Sequence, residues 1–219
     1  MRKMNIVLWL VLAAFVFTGC SKNGGTALDN SGSQNTGSKA QSSGIDSPTD
    51  IAMEDFFLAD GSKAHYQGEG NEFAELDIEV AHPYKNYVII HENNGGGLVR
   101  YTYKIDRDEI LILENKLVET RADFPSLEEL DAMASTGVYL KKPFKKGTSF
   151  GDWTIVETDV TLETPYKTFD RVFVIESQDT DIVNRKYFVE GFGEVKRESI
   201  MKTEEGEHIV TSTLKAVDQ

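Results

Sequence analysis

The sequence predicts a mainly β fold: a single antiparallel domain over residues 53–219, built as a curved half-barrel or as two meanders, with one short helix. Three observations carry that expectation. Apolar and polar residues alternate with a period of two in several short runs, of which Leu76, Ile78 and Val80 against Asp77 and Glu79 is the clearest. Asn93-Asn94-Gly95-Gly96-Gly97 stands between two such runs, and Asn and Gly accept the positive φ of a tight hairpin cheaply. Helical spacing behind a start signal occurs at one place, after Ser126.

Taken in order, the first strand of the pattern covers Leu76–Val80 and is expected to break at Pro83, which has no N–H to give a ladder. Tyr87–Ile90 follows as a second strand after a turn at residues 84–86, and Leu98–Ile105 returns from the Asn/Gly hairpin with Val99, Tyr101 and Tyr103 on one face. Asp106-Arg107-Asp108 turns the chain into Ile110–Leu113, an apolar run short enough for a strand buried on both sides. Ser126 and Glu129 form a capping box, and Leu127, Leu130 and Met133 continue at helical spacing, so residues 127–135 read as the helix.

Beyond the helix the pattern starts again. Pro83-Tyr84-Lys85 falls opposite Pro165-Tyr166-Lys167, Val88–Ile90 opposite Val172–Val174, and Val99–Tyr103 opposite Val183–Tyr187, which suggests an internal duplication. His208–Val217 alternates once more and is expected to end the sheet as an edge strand. Meander, half-barrel and sandwich share this pattern, so strand order stays open.

The first 20 residues have a different character. Arg2 and Lys3, an apolar run from Ile6 to Phe17, and Thr18-Gly19 before the single cysteine have the layout of an export signal. That run has 12 residues, too few for a hydrocarbon core that needs about 20. The segment resembles the lipobox of bacterial lipoproteins, with Phe17 where that pattern usually has Leu, Val or Ile. The resemblance implies removal of residues 1–19 and a diacylglyceryl group on the thiol of Cys20. A two-chain anchor holds a protein at a membrane where a single acyl chain binds only reversibly. The expected location is therefore the extracytoplasmic face of a cell membrane, or an outer membrane where the source has two, since Ser21 is not an inner-membrane retention signal.

Residues 20–52 follow as the lipidated cysteine and a Gly/Ser/Asn-rich tether, too polar to offset the entropy of ordering it. Such a coil spans on the order of 30 Å. Without Arg2 and Lys3 the 23 basic residues fall to 21 against 36 acidic ones, a net charge of −15. Nucleic acid is excluded as a partner, because its binding rests on Lys and Arg neutralising phosphates. With Cys20 acylated no thiol remains for a disulfide, a cysteine metal site or a nucleophile.

Several motifs belong together by their order: Tyr66–Ala74, Asn94-Gly95-Gly96, Pro143–Ser149, Thr164–Phe169 and Arg185–Lys196. Over roughly residues 55–200 they are similar to a group of lipoproteins of Bacillus-type bacteria, whose pattern runs YxGEGNE(Y/F)A, PLKVGTxW, TPAGTFKN and YYAxGVGLVK. Tyr166-Lys167 stands here in place of Ala-Gly, and Phe144-Lys145-Lys146 in place of Leu-Lys-Val. The resemblance implies an exported lipoprotein and brings no activity or catalytic residue with it.

The remaining motifs read as structure. Gly68–Ala74 reads G-x-G-x-x-x-A, one residue longer than the dinucleotide fingerprint, carries two Glu and is followed by a strand, so a tight β-turn is expected there, not a dinucleotide loop. Asp106, Asp108 and Glu109, and Asp179, Asp181 and Asn184, read as solvated turns, each with too few oxygens for the six to eight that calcium takes. His82 and His91, with Glu92, fall on neighbouring strands but lack zinc-site spacing, so no metal or other cofactor is expected. No nucleophile paired with its base is recognised in the sequence, so no catalytic residue is expected. The expected role is a non-catalytic binding module for an apolar or envelope-derived ligand, or for an envelope protein partner. Tyr101, Tyr103, Trp153 and Tyr187 are the candidate ligand-binding aromatics of a concave sheet. The alternative is an envelope hydrolase using two carboxylates that meet across strands.

Overall fold

The computed structural model describes residues 51–122 and 124–219, so the expected leader, Cys20 and the expected tether up to Asp50 lie outside the described residues. The first six strands are β1 (Lys63–Glu69), β2 (Leu76–Tyr84), β3 (Tyr87–Asn93), β4 (Leu98–Ile105), β5 (Glu109–Leu117) and β6 (Gly137–Lys141). The second six are β7 (Ser149–Phe150), β8 (Trp153–Glu163), β9 (Thr168–Asp179), β10 (Ile182–Val189), β11 (Gly193–Thr203) and β12 (Gly206–Asp218). All join one antiparallel sheet in the order β6-β5-β4-β3-β2-β1-β12-β11-β10-β9-β8-β7. The sheet curls into a nearly closed barrel. Each half is thus a meander, and β1 pairs with β12 from Lys63↔Asp218 to Glu69↔Thr211 to join them. The repeated residues hold matching places: Val88–Ile90 and Val172–Val174 lie on the third strand of each half, Val99–Tyr103 and Val183–Tyr187 on the fourth.

Two expectations are corrected. Pro83 does not end β2; the ladder slips between Ala81 and Tyr84, and the bulge takes the missing N–H where no partner strand needs it. His82 turns its own N–H to Asp60 Oδ1 at 2.8 Å instead. The last strand, β12, is not an edge but lies between β1 and β11. The edges are β6 and β7, which meet at an incomplete seam because β7 pairs with β8 only through Ser149↔Thr154 and Phe150↔Trp153.

Helix α1 (Leu127–Ala132) begins at the expected capping box, with the Ser126 N–H donating to Glu129 Oε2 at 2.7 Å and the Glu129 N–H to Ser126 Oγ at 3.3 Å. It ends three residues earlier than the spacing predicts. Leu130, fully buried, packs with Tyr87 and Leu113 on the outer face of the sheet. Ile110 and Ile112 face the interior, so β5 is buried on both sides, as its unbroken apolar run implies. Under the same outer cover lies His91, 1 % exposed and edge-on to Phe124. Burial first, and then Arg100, lowers its proton affinity and favours the neutral imidazole.

One end of the barrel is plugged. A 3-10 helix at Met53–Phe56, which the sequence pattern did not announce, carries Met53, Phe56, Phe57 and Leu58 into the interior. Phe56 sits edge-on to Phe144 and Phe173 at 4.7 and 5.5 Å, and Phe57 packs on Tyr103 and Tyr139. The Gly191 N–H ties the plug down by donating to Asp55 O at 2.7 Å.

Candidate functional site

A layer of charge crosses the barrel above the plug. Glu92 comes from β3, Lys186 from β10, and Glu194 and Arg197 from β11. Residues three apart on a regular strand face opposite ways. Here Tyr187 pairs with Lys196 while Phe188 pairs with Glu194, so Val195 is an extra residue that brings Glu194 and Arg197 to the same side. The Arg197 guanidinium bridges the two carboxylates: one terminal nitrogen lies 2.9 Å from Glu92 Oε2, and Nε donates to Glu194 Oε1. Lys186 Nζ donates to Glu194 Oε2 at 3.0 Å, and the Tyr139 hydroxyl to the same oxygen at 3.3 Å. Tyr66, wholly interior, donates to the Glu194 main-chain oxygen at 2.7 Å.

Burial opposes the charge on Glu194, but Arg197 and Lys186 outweigh it and hold the carboxyl down at about 2. Burial, followed by the Glu194 charge, pushes the Tyr103 and Tyr139 hydroxyls well above their ordinary range, so both stay protonated donors. A carboxyl with a lowered pKa stabilises the fold only while ionised. The contribution is intact above the ordinary value near 4.5 and is lost as pH falls from there toward 2. It is on the order of 3 kcal/mol. Urea midpoints measured across that window are expected to fall steeply for the native chain and less steeply for Glu194→Gln, in which Glu198 and Glu129 are still held down.

Below this layer the interior keeps a cavity of about 70 Å³, room for about two waters and too small for an organic ligand. Above it the barrel opens into a cleft of about 340 Å³ that shares Glu92, Lys186 and Arg197 with the charge layer. Trp153 stands on one wall, with Lys186 Nζ 5.6 Å from its ring. Phe73, 52 % exposed, stands on the other in the β1–β2 loop, and Asn71, Asn94 and Asn184 supply amides around it. That loop is the Gly68–Ala74 stretch, and it turns straight back into β2, as a tight turn should. A Cβ on Gly68 would sit 2.0 Å from the Glu75 nitrogen, so the close return of the backbone demands glycine there.

The four predicted aromatics do not form one site. Tyr101 and Tyr103 line the small cavity, near-parallel at 6.4 Å, and Tyr103 is core. Trp153 belongs to the cleft. Tyr187 points to the other side of the sheet from its neighbours Lys186 and Phe188, donating to Glu198 Oε2 at 2.8 Å beneath Lys196. Lys186, Glu194 and Arg197 are not legible in the sequence as site residues, and Glu92 is legible only as a neighbour of His91. The signal for them was charge inserted among Tyr187, Phe188, Phe192 and Val195, but the bulge hides which charges share a face. His82 and His91 do not converge: His82 Nε2 lies 2.9 Å from Leu58 O, while His91 is covered by Phe124. Among the described residues no group of three His, Cys, Asp or Glu is placed to hold a metal ion, and no helix is long and apolar enough to cross a membrane.

No protein-family model matches the chain, and no curated protein matches it. Two crystal structures resemble its fold. One, a protein from Bacteroides fragilis NCTC 9343 described as exported and YmcC-like in fold, aligns with a TM-score of 0.49 at 14 % identity over 77 % of this chain and 99 % of its own. The other, described as a lipoprotein of Parabacteroides distasonis ATCC 8503, aligns with a TM-score of 0.43 at 12 % identity over the same shares. Neither likeness brings a function with it.

Proposed function

We propose that the chain is an extracytoplasmic lipoprotein, anchored through Cys20, whose barrel is a non-catalytic binding module for an envelope-derived ligand taken up at the open end. The single observation that carries the binding role is the cleft between Trp153 and Phe73, the roomy counterpart of an interior otherwise packed with aromatic rings. Its apolar walls, amides and the cations Lys186 and Arg197 suit a ligand with both a ring or chain to stack and polar groups to orient. The anchor rests on the lipobox-like residues 1–20, and the resemblance to Bacillus-type lipoproteins belongs to the same reading.

The arrangement of the carboxylates favours binding over hydrolysis. Glu92 and Glu194 do meet, across Arg197, but a glycosidase acid must hold a proton near neutral pH. Glu194 is ionised far below that, and both of its oxygens are engaged.

The sequence provides its own reporter. The chain has two tryptophans, Trp9 and Trp153, so once the leader is removed all tryptophan emission comes from the cleft. Titrating the mature chain with a soluble cell-wall digest and with a lipid extract is expected to shift that emission for one of the two. Phe73→Ala should weaken the response by about tenfold, the effect of losing one stacked ring of 1–1.5 kcal/mol. Emission indifferent to both, with ligand still retained by the protein, would move the site elsewhere. The anchor is tested separately: Cys20→Ser is expected to send the protein from the membrane fraction to the soluble one.

A further inference from the structure

The seam between the two halves holds a further cavity, of about 360 Å³, which shares no lining residue with the cleft. From Val156 onward β8 has no strand beside it on that side among the described residues, because β7 stops short. The gap leaves Phe144 and Ile51 half-buried at the edge of the aromatic core, Phe144 stacked at 4.9 Å on Phe173, with Phe173, Phe56 and Val189 buried behind them. Lys145, Lys146 and Arg171 stand on its rim, with Asp159 and Glu190 as the opposing charges. Among the described residues the side chains of these three cations have neither an ion pair nor a hydrogen bond. Three cations against two acids around one opening stand out in a chain of net charge −13.

The backbone is bent to make this rim. Asp159 and Arg171 hold φ of +59° and +57°, left-handed conformations that cost a non-glycine residue about 1–2 kcal/mol each. Asp159 falls where the β8–β9 ladder slips between Glu157↔Val174 and Val160↔Val172, and Arg171 falls in the next slip, before Leu162↔Phe169. The slips turn β8 away from pairing with a further strand, and they leave Arg171 beside an apolar slot.

We infer that the seam is a binding site for an anionic single-chain amphiphile, its acyl chain on Phe56, Phe144 and Phe173 and its head group on Lys145, Lys146 and Arg171. A phosphate or carboxylate head matches the cations, which outnumber Asp159 and Glu190 on the rim. The chain replaces water over the open parts of Phe144 and Ile51 and fills the cavity behind them. This site is independent of the cleft and stands or falls without it.

Calorimetry of the chain from Cys20 onward with dodecyl phosphate below its micellar concentration is expected to show saturable binding. Decyl phosphate should bind about tenfold more weakly, from the loss of two buried methylenes, and dodecyl maltoside more weakly than dodecyl phosphate. Lys145→Gln with Lys146→Gln should lower the phosphate affinity roughly five- to tenfold and leave the maltoside unchanged. Glu190→Gln should tighten the phosphate alone, a gain that damage to the fold cannot imitate. Displacement of dodecyl phosphate by phosphatidylglycerol vesicles, but not phosphatidylcholine vesicles, would assign the source as membrane lipid; displacement by neither would assign a free amphiphile, and both outcomes support the site. Affinity indifferent to chain length or to head-group charge overturns it. So does binding that appears only after residues 21–50 are deleted, since the slot would then belong to the tether.

Discussion

Arg197→Met is expected to destabilise the barrel by about 3–4 kcal/mol, seen as a fall in melting temperature of roughly 10 °C for a domain of this size. The cost arises on the carboxylates, not on the arginine. Glu194 and Glu92 keep only 7 % and 11 % of their side-chain surface in contact with solvent, and the guanidinium is the group that joins them. Removing it leaves Glu194 with Lys186 as its remaining cation and Glu92 without its bridge. A third of the Arg197 side chain is exposed, which keeps the expected cost below the upper end for a wholly buried pair. Glu194→Gln in the Arg197→Met background should recover part of the loss, because the uncompensated charge is then gone. The acid limb should also move, since without Arg197 the Glu194 carboxyl takes up a proton at higher pH. An Arg197→Met chain within about 1 kcal/mol of the native one would mean that water reaches the carboxylates and that no buried network exists.

Gly193→Ala is expected to cost about 3 kcal/mol or more and to loosen the plug specifically. Gly193 opens β11 with φ +76°, and a Cβ there would lie 2.3 Å from the Phe56 carbonyl oxygen. The backbone strain alone is about 1–2 kcal/mol. The clash is with main chain, so the plug must shift and give up part of the burial of Phe56 and Phe57, each worth about 1.5–3 kcal/mol. Hydrogen exchange should report the site of damage: the Gly191 amide, bonded to Asp55 O, should lose protection before the amides of β3 and β4 do. Gly147→Ala is the control, with φ +89° and nothing within 4 Å of its Cβ, and should show the strain without the displacement. Equal costs for the two substitutions would separate Gly193 from the seating of the plug.

Local pattern was a reliable guide wherever one face or one turn decided the outcome. Leu98–Ile105 is β4 to the residue, because the Asn/Gly hairpin sets one end and Asp106 the other. The helix starts where Ser126 and Glu129 can cap it, and Ile110–Leu113 is buried on both faces because the helix covers the outer one. Pro83 misled because a bulge spares the very N–H that proline lacks. Tyr187 misled because period two assigns a residue to a face without saying which face is inside. Arg197 and Glu194 stayed hidden because their shared face exists only through the extra residue Val195.

What the sequence by itself determined is therefore the local grammar of this protein: a β body with one capped helix, two similar runs of strands, acidic charge and a lipobox-like run before a lone cysteine. Tertiary structure alone decided that β1 and β12 close on each other, that a plug fills one end, and that four charges meet over it. The physical reason is range. Alternation, capping and turn chemistry act between residues a few positions apart, whereas closure and charge pairing join residues as distant as Lys63 and Asp218, whose proximity no neighbouring residue encodes.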